Sequence, residues 1–216
     1  WSVLALPGVG VGQVRKPMGL AVDSSDNLWV ADSVNNRIQR RTAGSGAWTA
    51  YSTNGSTVGK VIRPFDVAVD AAGNLFVADH YNNRVQKMTP GGVWSVLISS
   101  GTSDGNVWLP NGLGLDTSNN LYVSDFNTSP TNYSRIQKFS DTGAFLARVG
   151  STAPGEGTFQ RAYGLDARDS NTLYVADAGG NRIMNGSLFP SGWNTLVGSD
   201  AVNAPADVAF EPRGYL

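Results

Sequence analysis

The 216-residue sequence predicts an all-β fold, a β-propeller of four-stranded antiparallel blades, and three observations predict it. One block returns four times: PMGLAVDSSDNLWVADSVNNRIQR from Pro17, PFDVAVDAAGNLFVADHYNNRVQK from Pro64, PNGLGLDTSNNLYVSDF with SRIQK from Pro110, and AYGLDARDSNTLYVADAGGNRI from Ala162. The equivalent positions Gly19, Asp66, Gly112, Gly164 and Asp207 lie 47, 46, 52 and 43 residues apart, which is the period of a propeller blade. Within each block, short runs rich in Val, Leu, Ile and aromatic residues are punctuated by turn residues, the pattern of strands and not of helices.

The elements follow in order. LAVD from Leu20 is the first strand of a blade, LWVAD from Leu28 the second, RIQR from Arg37 the third and WTAYS from Trp48 the fourth; WSVLI from Trp94 and WNTLV from Trp193 repeat the fourth. Between first and second strands, SSDN, AAGN and TSNN are tight turns in which Asn27, Gly73 or Asn119 is expected at positive φ. Four complete blades fall at about 17–51, 64–98, 110–149 and 162–197. Residues 1–6 match a fourth strand and 205–216 a first strand, so partial blade elements are expected at both ends. An unclosed ring leaves strand edges unpaired, and the chain begins at Trp1. The expectation is therefore a fragment of a longer protein, or a ring completed by another copy.

The blocks P-x-G-[LV]-A-V-D, N-L-[YWF]-V-A-D and N-R-[IV]-Q resemble the NHL repeat over about residues 8–211. The resemblance implies a propeller, six-bladed in most of the family, that binds partners at one face.

Composition narrows the chemistry. Charged residues make up 15% and the formal net charge is −1, so no global field draws the chain to phosphate backbones or anionic membranes. There are no cysteines, which removes disulfides, thiolate metal sites and cysteine nucleophiles together. No apolar run reaches the roughly 20 residues of a membrane helix. Low charge with abundant Ser, Thr, Asn and Gly suggests an extracellular or cell-envelope setting, and Asn54, Asn127, Asn132 and Asn185 sit in glycosylation triplets.

Four charge pairs bracket the turn from second to third strand: Asp32 with Arg37, Asp79 with Arg84, Asp125 with Arg135, and Asp177 with Arg182. Each carboxylate has a guanidinium of matching geometry five to ten residues away, so these read as structural ion pairs and not as an acid/base array. His80 is the only histidine. It excludes a three-histidine zinc site, which is what the amidating lyases of NHL-like fold would need. It is expected in an exposed loop beside Tyr81. Asp66, Asn111 and Asp207, at the start of first strands, are weak candidates for oxygen ligands to a divalent cation such as calcium, as the resemblance to gluconolactonase-like propellers implies. No cofactor is otherwise indicated. GTSDG from Gly101 matches G-x-S-x-G, and GVGVG from Gly8 has the look of a dinucleotide fingerprint, but neither leads into a helix, so both are expected to be inter-strand loops.

Strand alternation puts the loops before first strands and after second strands on one face. They carry Arg15, Lys16, Lys60, Arg63 and Arg161, with His80, Tyr81, Phe126 and Tyr133 interleaved, and form the candidate binding face. Nine residues separate Asp125 from Arg135 where four separate the equivalent pairs, so this loop is the first candidate for a partner contact. The sequence therefore predicts a non-catalytic scaffold that binds protein, peptide or glycan. The alternatives are a divalent-metal lactonase or lyase at the channel mouth, and single-stranded RNA binding on the basic face.

Overall fold

Four sheets of four antiparallel strands account for most of the regular structure of the computed structural model, which describes residues 2–127, 133–150, 158–169, 172–187 and 192–209. They are the blades of a β-propeller fold. Blade 1 runs Leu20–Val22, Leu28–Asp32, Arg37–Arg41 and Trp48–Ala50, and blade 2 runs Pro64–Val69, Leu75–Asp79, Arg84–Met88 and Trp94–Ile98. Blade 3 runs Leu113–Leu115, Leu121–Asn127, Tyr133–Phe139 and Phe145–Val149, and blade 4 runs Ala162–Asp169, Thr172–Asp177, Arg182–Ser187 and Gly192–Val197. Strands pair in chain order within every sheet. The chain divides into two compact units, Trp1–Ser100 with blades 1 and 2, and Gly101–Leu216 with blades 3 and 4.

Each unit has its own core, formed where its two blades pack face to face. In the first, Trp29, Ala31 and Ile38 of blade 1 meet Val67, Leu75, Val77 and Met88 of blade 2, with Val61 between them. In the second, Tyr122, Ile136 and Ala147 of blade 3 meet Leu165, Leu173, Val175, Met184 and Trp193 of blade 4, with Phe159 between them. The second strands of blades 1 and 2 are buried on both faces, with Val30 between Trp29 and Ala31 and Phe76 between Leu75 and Val77, and full burial of a Val, Leu, Ile, Phe or Met side chain is worth about 1.5–3 kcal/mol.

The turn from second to third strand explains the D-x-x-N-N-R spelling. Asp32 and Asp79 end second strands and lead into 3-10 turns at Ser33–Asn35 and His80–Asn82; Asn36 and Asn83 close these turns in the left-handed region at φ 51° and 53°. Asn181 does the same in blade 4 at φ 49°, and Asn tolerates that region better than most residues.

Four features differ from the sequence expectation. The turn after the first strand of blade 1 places Asp26, not Asn27, at positive φ (60°), as Gly73 and Asn119 do at 82° and 60°. Asn27 instead turns its amide onto the Asp23 carboxylate. The longer blade 3 segment extends the antiparallel ladder: Phe126 pairs with Ser134 and Asn127 with Tyr133, so only 128–132 remain between the strands, outside the described residues. Of the partial strands expected at 1–6 and 205–216, residues 2–5 and 205–209 carry no strand, because no neighbouring strand completes a ladder with them among the described residues, and 1 and 210–216 lie outside the described residues. Finally, two short parallel pairs that the sequence did not announce join Leu6–Pro7 to Gln13–Val14 and Thr53–Asn54 to Lys60–Val61.

Candidate functional site

Those parallel pairs belong to a repeated loop that precedes blades 1, 2 and 3, spelled G-x-x-x-G-x-V: Gly8 to Val14, Gly55 to Val61 and Gly101 to Val107. The first glycine N–H donates to the carbonyl of the closing valine at 3.1, 3.2 and 3.0 Å. GVGVG and GTSDG, the two motifs with a catalytic or nucleotide-binding look, are two copies of this one structural loop.

Three of the four charge pairs hold these loops, and the fourth, Asp177 with Arg182, holds the segment that leads into blade 4. Arg37, Arg84, Arg135 and Arg182 donate Nε–H to Asp32, Asp79, Asp125 and Asp177 at 2.7, 2.8, 2.9 and 3.0 Å. The same guanidiniums reach the loop carbonyls of Gln13, Lys60, Asn106 and Thr158. The carboxylates also accept backbone N–H groups of Arg15, Ile62, Trp108 and Arg161. Gln39, Gln86 and Gln137 complete the bolt: each amide oxygen accepts from the second loop glycine, Gly12, Gly59 or Gly105, and each amide nitrogen donates back to the Asp. Met184 takes the Gln position in blade 4. All four Asp side chains are fully buried. Burial pushes the Asp79 and Asp125 carboxyls up from the usual range, against the pull of their hydrogen bonds and arginines. The recurring N-R-[IV]-Q block contains these glutamines, but their role was not legible in it, because their partners are loop glycines that only the fold brings near.

Outside this framework stand the face candidates. Arg15, Lys16, Lys60, Arg63 and Arg161 are exposed. Lys16 and Arg63 share an unusual backbone: each precedes a proline and sits at positive φ, 49° and 46°. The Arg63 N–H is fixed by Asn36 Oδ1 of the preceding blade at 2.8 Å. Its guanidinium lies 5.6 Å from the ring centroid of Tyr81, which is 53% exposed and held by its own N–H on the Ile62 carbonyl at 3.1 Å. The first unit thus presents a cation and an aromatic ring side by side on fixed backbone.

His80 does not share that exposure. It is 8% exposed and its ring stacks on Phe65 at 3.9 Å and 16°, because the 3-10 turn folds it under the chain toward the start of the first strand. Phe126 is half-buried within a strand, and the Tyr133 side chain lies outside the described residues. Asp66 and Asp207 each accept the N–H of the next residue, Val67 and Val208, at 2.8 Å. They lie against Gly19 and Gly164, where a Cβ would come within 2.5 Å of the Asp Cα. Asn111 is buried, with an Oδ1 that has no hydrogen-bond partner. Among the described residues no group of three or more His, Asp or Glu is gathered to hold a metal ion.

The blades, their repeat period and the ion-pair bolt define a β-propeller repeat protein. Two of its repeats, at residues 15–40 and 63–88, match the family model of the NHL repeat. No curated protein sequence matches the chain. Solved structures that share the fold include a streptogramin B lyase (TM-score 0.64, 14% identity, covering 89% of this chain and 56% of that one). Virginiamycin B lyase from Staphylococcus aureus is similar (TM-score 0.61, 17% identity, 84% and 55%). So is a protein of unknown function from Bacteroides thetaiotaomicron (TM-score 0.64, 19% identity, 79% and 47%). The chain therefore spans about half the length of these structures, and at such identities the likeness shows the fold.

Proposed function

We propose that this chain is a non-catalytic binding scaffold whose partner, a protein, peptide or glycan, meets the loops that precede first strands and follow second strands, in an extracellular or cell-envelope setting. The observation that carries this reading is the Arg63–Tyr81 pair, exposed on a backbone fixed at both residues, while the groups with acid/base capacity nearby are committed to structure. Asp32 and Asp79 are buried and saturated with donors, and the one imidazole is packed on Phe65. Exposed Arg and Tyr are the residue types that dominate binding hot spots.

The similar lyase structures bear on this reading as a contrast. A catalytically inactive histidine-to-alanine variant of virginiamycin B lyase has been solved with quinupristin, whereas His80 here is buried. The experiment is a screen of the folded chain against a displayed random-peptide library and a glycan array, repeated with Tyr81→Ala and Arg63→Glu. The expected result is a set of ligands lost by both variants at unchanged thermal stability. Ligands retained equally by both variants would place the site elsewhere. Turnover of a cyclic ester or depsipeptide by the wild-type chain would overturn the non-catalytic reading.

A further inference from the structure

A groove of about 360 Å³ opens in the first unit between the end of blade 1 and the loop that leads into blade 2, lined by Tyr51, Ser52, Thr53, Val58, Lys60 and Trp94, with Ala50 and Gly59 between them. Its volume lies at the lower end of small-ligand sites. We infer that this groove binds a pyranose sugar carrying an anionic group, with the ring against Trp94 and Tyr51 and the acid group on Lys60.

Three observations carry the assignment. The first is composition: two aromatic side chains supply flat apolar faces of the kind that cover the C–H face of a pyranose, and Ser52, Thr53 and Lys60 supply polar groups around them. No acidic residue lines the groove. Lys60 is exposed and is in no ion pair among the described residues. The first unit as a whole carries nine Lys and Arg against six Asp and no Glu, so a negative ligand is favoured over a neutral or positive one.

The second is rigidity. The loop wall is bolted by the Arg and Gln network that also serves blades 1 and 3: Gly59 N–H to Gln86 Oε1 at 2.9 Å, the Lys60 carbonyl from Arg84 and Gln86 at 2.9 and 2.8 Å, and the Gly55 carbonyl from Asn82 at 3.0 Å. Trp94 is anchored on one side by the core cluster and touches the Cα side of Gly59, so its position is set before any ligand arrives. Walls that need no ordering on binding keep the affinity that ordering would cost.

The third is singularity within a repeat. At the positions equivalent to Tyr51, Val58, Lys60 and Trp94, the next repeat has Leu97, Asp104, Asn106 and Phe145. The framework residues Gly59, Val61, Arg84 and Gln86 return as Gly105, Val107, Arg135 and Gln137. The fold therefore requires the second set and an aromatic ring at the Trp94 position, where Phe145 stands in the next repeat, while Tyr51 and Lys60 have no aromatic or cationic counterpart there.

The site is independent of the loop-face reading, because neither Arg63 nor Tyr81 lines it. The test is calorimetric titration, with tryptophan fluorescence as a second readout, of the whole chain with a galacturonate trimer, a sulfated disaccharide and neutral cellobiose. An acidic peptide and a single-stranded oligonucleotide serve as other anions. The variants are Lys60→Asn and Trp94→Phe, residues that the neighbouring repeat already accommodates, and Tyr81→Ala. The expected result is that at least one anionic sugar binds while cellobiose does not, the uronate and sulfate arms naming the acid group. Lys60→Asn should weaken that binding by about tenfold or more and flatten its salt dependence, Trp94→Phe should weaken it, and Tyr81→Ala should leave it unchanged. The inference is overturned by no binding of any anionic sugar, by binding indifferent to both groove variants, or by tighter Lys60-dependent binding of the peptide or the oligonucleotide. None of these outcomes alters the fate of Tyr81-dependent ligands, so the two readings fail separately.

Discussion

Asp79 shows at the scale of one residue why the most enzyme-like feature of this sequence belongs to its framework. Its carboxylate accepts from Ile62, Asn82, Arg84 and Gln86, with Arg84 only 11% exposed beside it. Removing it leaves a nearly buried guanidinium and an orphaned amide. Asp79→Ala is expected to cost about 3–5 kcal/mol, roughly 10 °C in melting temperature for a chain of this size. Exposed Asp200→Ala serves as a reference within about 0.5 kcal/mol. Equal melting temperatures for the two variants would refute the framework role. Asp116, at the turn of blade 3, works in the other direction with pH. Burial would raise its carboxyl, but hydrogen bonds from Asn120, Lys138 and Ser118 outweigh burial and hold it below its ordinary 3.8. A carboxyl lowered in the folded state contributes stability that is present above the ordinary value and is lost as pH falls through the folded one. Asp116→Asn should therefore melt below wild type at neutral pH, and the gap should close under about pH 4. A gap that is constant with pH would assign the loss to geometry alone.

At the scale of the element, the strands were legible and the connections were only partly so. Short runs rich in Val, Leu, Ile and aromatic residues, and the return of L-x-V-[AS]-D, identify strands without reference to neighbours, and the blades formed where those runs lie. The turn at Asp26 was misread because Asn is the commoner left-handed residue, yet here Asn27 is recruited by Asp23 and the strain passes to the residue before it. The burial of His80 was invisible because it depends on Phe65, fifteen positions earlier, and not on its own loop. GVGVG and GTSDG are the inter-strand loops that the sequence predicts, but their common build was not legible, because their glycines serve contacts that only the folded blade supplies. Gly59 has φ 81°, and a Cβ there would stand 3.2 Å from Trp94 Cδ1. Gly59→Ala should cost about 1–2 kcal/mol for the left-handed backbone, measured by urea unfolding. It should also shift the fluorescence maximum as the Trp94 ring is displaced, whereas Gly92→Ala, at the same φ with no atom near the added methyl, should lower stability without that spectral change.

The whole molecule is close to neutral, but its charge is not evenly divided. Against the net −1 of the chain, the first unit has an excess of three positive charges and the second an excess of four negative ones, counted from the residues of each unit. The Asp32–Arg37 and Asp79–Arg84 pairs cancel within the framework, and the excess of the first unit is carried at its surface by exposed Arg15, Lys16, Lys60 and Arg63. None of this was readable from composition, since a pI near 5.8 describes the sum and not the arrangement. A field set by local excess predicts behaviour that net charge does not. At neutral pH and low salt the protein should be retained by both cation- and anion-exchange media. Cation-exchange retention should vanish in an Arg15→Glu, Lys16→Glu, Arg63→Glu variant whose anion-exchange retention and melting temperature are kept. Added salt should release the wild type as screening shortens to about 10 Å near 0.1 M. Retention by the anion exchanger alone would mean that the exposed cations do not act as one surface, and the loop face would then have to recognise its partner through Tyr81 and shape, without charge.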